Sequence, residues 1–296
     1  MNCRSLKQEP PVPSRRRKWL RRLAILGVVL AVVVLAYACF VEPTRLEVTH
    51  TEILSPRLPE AMGPVRIAHL SDIHWTGRFG EDLIRETVEL ANQARPDLIV
   101  FTGDTVNSSY SGDLAGLRDL LSPLTAPLGV FAVLGNHDRW AEAEQVIETL
   151  EESGVRVLGD EAVPVRIGQS VVWLVGLRDN SINYASPAPL VEGLPEGARY
   201  IVLAHSPDVV FEANELGAGL VLAGHTHGGQ ICLPLWGPLI VPSRFGRRFT
   251  SGLIWQQDTP MYVSRGIGMA VVHARLLCRP ELAVLEVRGS TTARNR

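Results

Sequence analysis

The stretch LAGHTHGGQ, residues 222–230, sets His225 and His227 one residue apart, directly after an apolar run and ahead of two glycines. Neutral imidazoles are common ligands for divalent transition metals, so this spacing raises the question of which cation they serve. Other apolar runs end in residues of the same kind. VRIAHLSDIH delivers Asp72 and His74, DLIVFTGD delivers Asp104, GVFAVLGNHD delivers Asn136, His137 and Asp138, and YIVLAH delivers His205. Five of the eight histidines fall in this set. Each fragment alone is weak: a GD pair is often only a turn, and a histidine ending a strand is usually a hydrogen-bonded structural residue. Together, in order and always at the end of an apolar run, they point to a mixed oxygen and nitrogen ligand set for divalent metals.

Residues spread this far along the chain need a scaffold that converges them. Short apolar runs alternate with helical patterns: VRIAHL precedes a helix over 81–95, DLIVFTG one over 113–121, and GVFAVLG one over 140–153. Three βα units in a row predict an α/β fold with parallel pairing. In such sheets the carboxyl ends of the strands form the ligand crevice. Strands crowd together after that, at VPVRI, SVVWLVGL, YIVLAH, GLVLAG, MYVSRG and LAVLEV, with one helix over 207–216.

The set SDIH, TGD, GNHD, AHSP and GHTH resembles the motif series of the calcineurin-like metallophosphoesterases, over residues 63–288. Longer phrases, GHTHGGQICLPLWGPLIVPSRFGRRF, YVSRGIG and LLCRPELAVLEV, look like the membrane-associated branch that includes UDP-2,3-diacylglucosamine pyrophosphatase-like proteins. The resemblance implies a four-layer α/β/β/α sandwich of two mixed sheets flanked by helices. It also implies two divalent cations: Asp72, His74 and His227 at the first, Asn136, His205 and His225 at the second, and Asp104 bridging. A water shared by the cations would attack phosphorus, and His137 would give the leaving oxygen its proton. Asp138 would either orient His137 by accepting a ring hydrogen or cap the following helix. An extended segment at 225–227 would turn alternate rings toward neighbouring ions. Mn²⁺, Fe²⁺, Zn²⁺ and Co²⁺ all suit such ligands.

Charge separates the chain into two parts. Eight cations against Glu9 give residues 1–22 a charge of +7, which leaves −9 on the remainder of a chain whose formal charge is −2. An acidic body argues against nucleic acid as a partner, because that binding rests on clustered Lys and Arg. Residues 1–22 read as a basic cytoplasmic tail, and 23–41 as a transmembrane helix or signal anchor. A connector over 42–62 follows, with one edge strand at RLEVTHTEI; then come the catalytic domain, 63–288, and a flexible tail, 289–296. The cation excess before the span predicts a single-pass protein with a cytoplasmic amino terminus and the body outside. RRKWLR, 16–21, also resembles a twin-arginine export signal.

Several features stay open at this stage. Cys232 and Cys278 are either two buried thiols or one disulfide, and the absence of a CxxC pair argues against a cysteine zinc site. PSRFGRRF carries Arg244, Arg247 and Arg248, suited to a diphosphate, to lipid headgroups or to plain solvation. The loop LRDNSINYASPAP either covers the site or only connects. His69 reads as a packed neighbour, and His50 and His273 carry no motif. The expected activity is phosphodiester or pyrophosphate hydrolysis on a lipid-linked or envelope substrate at the membrane. Alternatives are a UDP-2,3-diacylglucosamine pyrophosphatase of lipid A synthesis and a non-catalytic metal-binding scaffold; filled ligand positions favour the enzyme.

Overall fold

A computed structural model describes residues 15–77, 80–179 and 185–290. Helix α1 (Arg15–Phe40) is followed by β1 (Glu47–Ser55), β2 (Val65–Leu70), α2 (Glu81–Gln93), β3 (Leu98–Thr102), α3 (Ala115–Leu121), β4 (Val130–Val133), α4 (Asn136–Trp140), α5 (Ala143–Glu152) and β5 (Arg156–Val157). The second half runs β6 (Glu161–Ile167), β7 (Ser170–Gly176), α6 (Ala188–Glu192), β8 (Arg199–Leu203), α7 (Val210–Glu215), β9 (Leu220–Ala223), β10 (Cys232–Leu233), β11 (Gly237–Pro238), β12 (Gly252–Gln256), β13 (Thr259–Val263) and β14 (Glu281–Gly289).

Two six-stranded mixed sheets form the body, in the orders β1-β14-β2-β3-β4-β5 and β12-β13-β9-β8-β7-β6. Side-chain alternation explains how they stack, because successive residues of a strand face opposite ways. Val65 and Ile67 of β2, with Leu98 and Val100 of β3, face Val172, Leu174, Ile201 and Leu220 of the other sheet in one buried cluster. The intervening residues Ala68, Leu70, Ile99 and Phe101 pack outward with Ile84, Val88, Leu117 and Leu150 from α2, α3 and α5. Val202 and Val221 likewise turn away from the central layer toward Val210 and Ala213 of α7. Central strands are therefore buried on both faces, and β4 (VFAV) and β9 (LVLA) read as unbroken apolar runs. The expected α/β/β/α layering is what the chain adopts.

Two expected boundaries move. The connector over 42–62 is part of the fold: β1 pairs in parallel with β14 from Glu47↔Glu281 to Ser55↔Gly289, and Ile53, Leu58 and Met62 join the central core. The polar alternation of EVTHTEILS suits this edge position, where one face meets solvent. Among the described residues helix α1 already includes Arg15–Arg22 of the basic tail, so the helix is longer than the apolar span. Residues 1–14 of that tail, 180–184 of the polar loop and 291–296 of the terminal tail lie outside the described residues.

Truncating Leu174, fully buried between the sheets, to alanine should cost about 2–5 kcal/mol, read as a lower denaturant midpoint at unchanged slope.

Candidate metal centre

The sheets bring their ligand-bearing edges together. Strands β2, β3 and β4 are mutually parallel, as are β7, β8 and β9, so each set ends on one side. Asp72 and His74 follow β2, Asp104 follows β3, Asn136 opens α4 after β4, His205 follows β8, and His225 and His227 follow β9. All seven expected metal ligands meet there.

They meet as three overlapping groups: Asp72, His74 and His227; Asp104, His205 and His225; and, sharing a residue with each, His74, Asp104 and His137. His74 Nε2 lies 3.0 Å from His227 Nε2, and His227 Nε2 lies 3.4 Å from Asp72 Oδ1. In the second group His225 Nδ1 is 3.0 Å from His205 Nε2, which is 3.2 Å from Asn136 Oδ1. Asp104 joins the first two: its Oδ2 is 3.2 Å from His205 Nε2 and 3.6 Å from His74 Nε2. Nitrogen ligands sit about 2.0–2.1 Å from a cation such as zinc, so two of them at right angles lie about 3 Å apart. The ring-to-ring distances fit that spacing in the first two groups.

Electrostatics agree with the geometry. Burial pushes His74 and His225 down to about 3 and holds His227 well below the usual imidazole value, helped by neighbouring histidines. Neutral rings offer the lone pair a cation needs. Burial acts to raise Asp104, yet His205 and His74 hold it far below the ordinary carboxylate range. Burial also acts to lower His205, but Asp104, Asp72 and Asp179 outweigh it and carry it up to about 10. His205 Nδ1 lies 2.7 Å from the Thr102 carbonyl, so it donates there and its Nε2 proton occupies the position a cation would take.

The backbone is strained where the ligands sit. Asp72, His74, Asp104, His225 and His227 all have φ between 50° and 71°. Each such residue costs roughly 1–3 kcal/mol and persists only where surrounding contacts enforce it. The contacts are visible: His225 N–H donates to both oxygens of Asp72 at 3.1 Å, and His74 N–H donates to Asp104 O at 2.9 Å. Glycines make room for them. A Cβ on Gly135 would stand 2.2 Å from Asp104 Oδ1, and one on Gly224 would stand 2.4 Å from Asp72 Oδ2.

Two sequence expectations need correction. The 225–227 segment is not extended: β9 ends at Ala223, and left-handed His225 leads through Thr226 into a 3-10 turn over His227–Gly229. A turn, rather than strand alternation, sends the rings to different groups. Asp138 does not accept from the His137 ring, and the helix it caps is not α5 but the short α4, of which it is the third residue: its carboxylate accepts the N–H of Gly135, the residue before that helix, at 2.9 Å and Val106 N–H at 2.8 Å. Burial, then Asp104, pushes it up to about 7. Its role is to tie the Asp104 loop to the Asn136 turn. His137 is half-buried; its N–H donates to Asp104 Oδ1 at 2.8 Å, and its ring meets His74 edge-on at 4.7 Å between centroids.

Supporting residues went unread in the sequence. A buried chain runs from His69 Nε2 to Thr102 Oγ1 at 2.8 Å, on to Ser71 Oγ at 2.8 Å and to Asp72 Oδ2 at 2.5 Å. His69 is thus a packed neighbour that also orients a ligand carboxylate. Arg275 is fully buried and donates to the carbonyls of Arg265, Gly266, Gly268 and Cys278. It pins the SRGIG segment, whose Gly268 N–H donates to Asp72 O at 2.7 Å. Cys232 and Cys278 are free thiols, and Cys278 donates to the His227 carbonyl at 3.1 Å. Arg248 packs over Phe211 and Phe249, and Arg247 over Trp236.

This fold, with two facing ligand groups at its sheet edges, defines a metal-dependent phosphoester hydrolase. The chain belongs to the calcineurin-like phosphoesterase family, whose model matches residues 65–229. It is 32% identical over 259 residues to the uncharacterized metallophosphoesterase YkuE of Bacillus subtilis, covering 86% of this chain and 90% of the relative. It is 35% identical over 228 residues to the phosphodiesterase YaeI of Escherichia coli, covering 76% and 82%. A transmembrane protein with metallophosphoesterase domain from Danio rerio is 28% identical over 275 residues, 88% of this chain and 62% of that longer one. Among solved structures, TT1561 of Thermus thermophilus aligns over 69% of this chain and 90% of its own, at 12% identity and TM-score 0.46.

Loading the ion-free protein with Mn²⁺ or Zn²⁺ should expel the His205 proton, so calorimetric enthalpies should depend on the buffer's ionisation enthalpy and affinity should fall as pH drops. Asp138→Asn should lower the melting temperature, since an amide cannot accept both N–H groups, a loss of about 1–3 kcal/mol.

Proposed function

We propose that this protein is a membrane-anchored phosphoesterase that uses two divalent cations, drawn from Mn²⁺, Fe²⁺, Zn²⁺ and Co²⁺, to hydrolyse a phosphodiester or diphosphate bond in a lipid-linked or cell-envelope substrate. The position of Asp104 carries this reading: one carboxylate oxygen stands between an imidazole of each group. When bound, the cations supply Lewis acidity and a water acidic enough to act near neutral pH. Asp72, His74 and His227 would hold the first, and Asn136, His205 and His225 the second. Asp104 would serve both.

The proton for the leaving oxygen falls to His137. Ser108 N–H points at its Nδ1 from 3.4 Å, which assigns the ring proton to Nε2. Because its own N–H is bonded to Asp104, the donor and the bridging carboxylate are fixed relative to each other. To give up that proton the ring must be an imidazolium; burial disfavours the charged form and the Asp104 carboxylate favours it, so donation would return His137 to the neutral ring.

Two observations support the membrane and the lipid. Helix α1 is long and apolar enough to cross a bilayer, and its apolar side chains are exposed along its length. The cation excess ahead of the apolar span, most of it in the first turns of α1, supports a cytoplasmic amino terminus and a body outside. Beyond α1, Pro43 and Thr44 line a cavity of about 290 Å³ that also includes His74, Ile73, Ile84, Ile267 and Met269. An amphiphile held beside the anchor would find apolar wall next to a metal ligand, with Glu81, Asp82 and Glu86 also lining the cavity.

With Mn²⁺, the full chain should hydrolyse bis(4-nitrophenyl) phosphate. Asp104→Asn should reduce turnover to background while circular dichroism stays unchanged, and persistent turnover would count against the bridging role. His137→Ala should lower kcat roughly 10²–10⁴-fold on an alkyl diester, and less on nitrophenyl esters, whose leaving group departs without a proton. Met269→Trp should raise KM for a lipid-linked diester and spare the soluble one.

A further inference from the structure

The turn that carries His227 runs on into the β10–β11 hairpin, where Leu233, Leu235, Trp236, Leu239 and Ile240 are exposed. A second loop, 270–277, exposes Val271, Val272 and Leu277. Among the described residues, these two loops hold eight of the twelve large apolar side chains exposed outside α1, so the apolar surface is gathered rather than scattered. The loops form one surface. Cys232 N–H donates to Leu276 O at 2.8 Å, Leu276 N–H to Gln230 O at 3.0 Å, and Ala270 N–H to Gln230 Oε1 at 2.9 Å. The second loop is also fastened to the end of α1, through Arg275 N–H to Ala38 O at 2.9 Å and Cys278 N–H to Glu42 Oε1 at 2.5 Å.

We propose that this apolar rim is a second membrane contact, and that its occupant is the bilayer that α1 spans. The rim is continuous with the anchor: Ala38, the one buried residue of α1, is where loop 270–277 attaches. A helix that crosses the bilayer therefore leaves these loops at the level of the headgroups. An exposed apolar surface of this extent, set beside the anchor, has a natural partner in the acyl boundary. Its edge has the composition of a membrane interface, because Arg247 donates to Trp236 O at 2.8 Å and lies over the Trp236 ring at 5.6 Å. The consequence concerns the metal centre. Only Gly228 to Ile231 separate His227 from the hairpin, so the centre is held beside the headgroup layer, where a lipid-borne phosphoester reaches it without leaving the membrane.

This inference rests on the membrane-anchored reading, but its test needs no turnover. Leu235→Cys in the full chain, labelled with an environment-sensitive dye, is reconstituted into vesicles of zwitterionic and anionic lipid. Unsubstituted chain, labelled in parallel, sets the background from the native cysteines, and Glu148→Cys on α5, exposed and outside the rim, serves as the aqueous reference. The expected result at position 235 is a blue-shifted emission that is quenched by lipid brominated in the upper acyl chain. Emission matching the Glu148 position, unquenched in an embedded chain, overturns the rim proposal alone. A blue shift that grows with protein density without lipid quenching assigns the rim to a second copy and overturns it too. A chain released by carbonate washing overturns the anchoring beneath it. Hydrogen exchange of unlabelled chain gives a second readout: amides of 233–240 and 270–277 should be protected in vesicles, and Leu235→Asp combined with Ile240→Asp should lose that protection.

Discussion

One buried carboxylate organises this protein. Asp104 faces His205 on one side and His74 on the other, while its second oxygen takes the His137 N–H. Carboxylates and imidazoles buried together carry a large desolvation penalty, and a bound cation is the partner that relieves it. The fold accepts that penalty at the strand ends and accepts five left-handed backbone positions among the ligands as well. Local strain and unfavourable burial coincide where the chemistry is, as expected where a sequence departs from local rules for function.

The surrounding packing leaves these groups little freedom. Gly103 lies against Gly135 and His205, Gly224 against Ser71 and Asp72, and Gly266 against Asp72, each too close to admit a Cβ. The relay from His69 through Thr102 and Ser71 fixes Asp72 from beneath, and the Thr102 carbonyl fixes His205. Arg275 completes the support, chiefly through bonds to backbone carbonyls. A guanidinium suits this task because its planar fork presents several donors at once. Ligand geometry is thus a property of two sheets and the segment 265–278 acting together.

The same segment joins the centre to the apolar helix. Loop 270–277 meets Ala38, Cys278 meets both Glu42 and the His227 carbonyl, and the hairpin after the GHTH turn pairs with that loop. The apolar helix, the exposed apolar loops and the candidate ligands form a continuous set of contacts.

The convergence of the candidate ligands was legible in the sequence because each motif residue directly follows an apolar run, and strand ends are where α/β folds place function. The layers were legible for the same reason: runs of four to six apolar residues require burial on both faces. Strand β1 was harder to place, since its alternating pattern fits an edge strand and a mixed connector equally well until β14, more than two hundred residues on, is seen beside it. Asp138 was misread because an acid next to His137 suggests a local partner, whereas its actual partners are the backbones of Val106 and Gly135. His69 carried no motif because its partner Thr102 belongs to another strand, and Arg275 carried none because its guanidinium bonds backbone carbonyls of Arg265, Gly266, Gly268 and Cys278, which leave no side-chain pattern. Sequence determined which side chains can bind a cation and that they end strands. Only the tertiary structure decided which of them lie together, how the backbone turns to allow it, and that the site lies near the end of the apolar helix, because those depend on contacts between segments far apart in the chain.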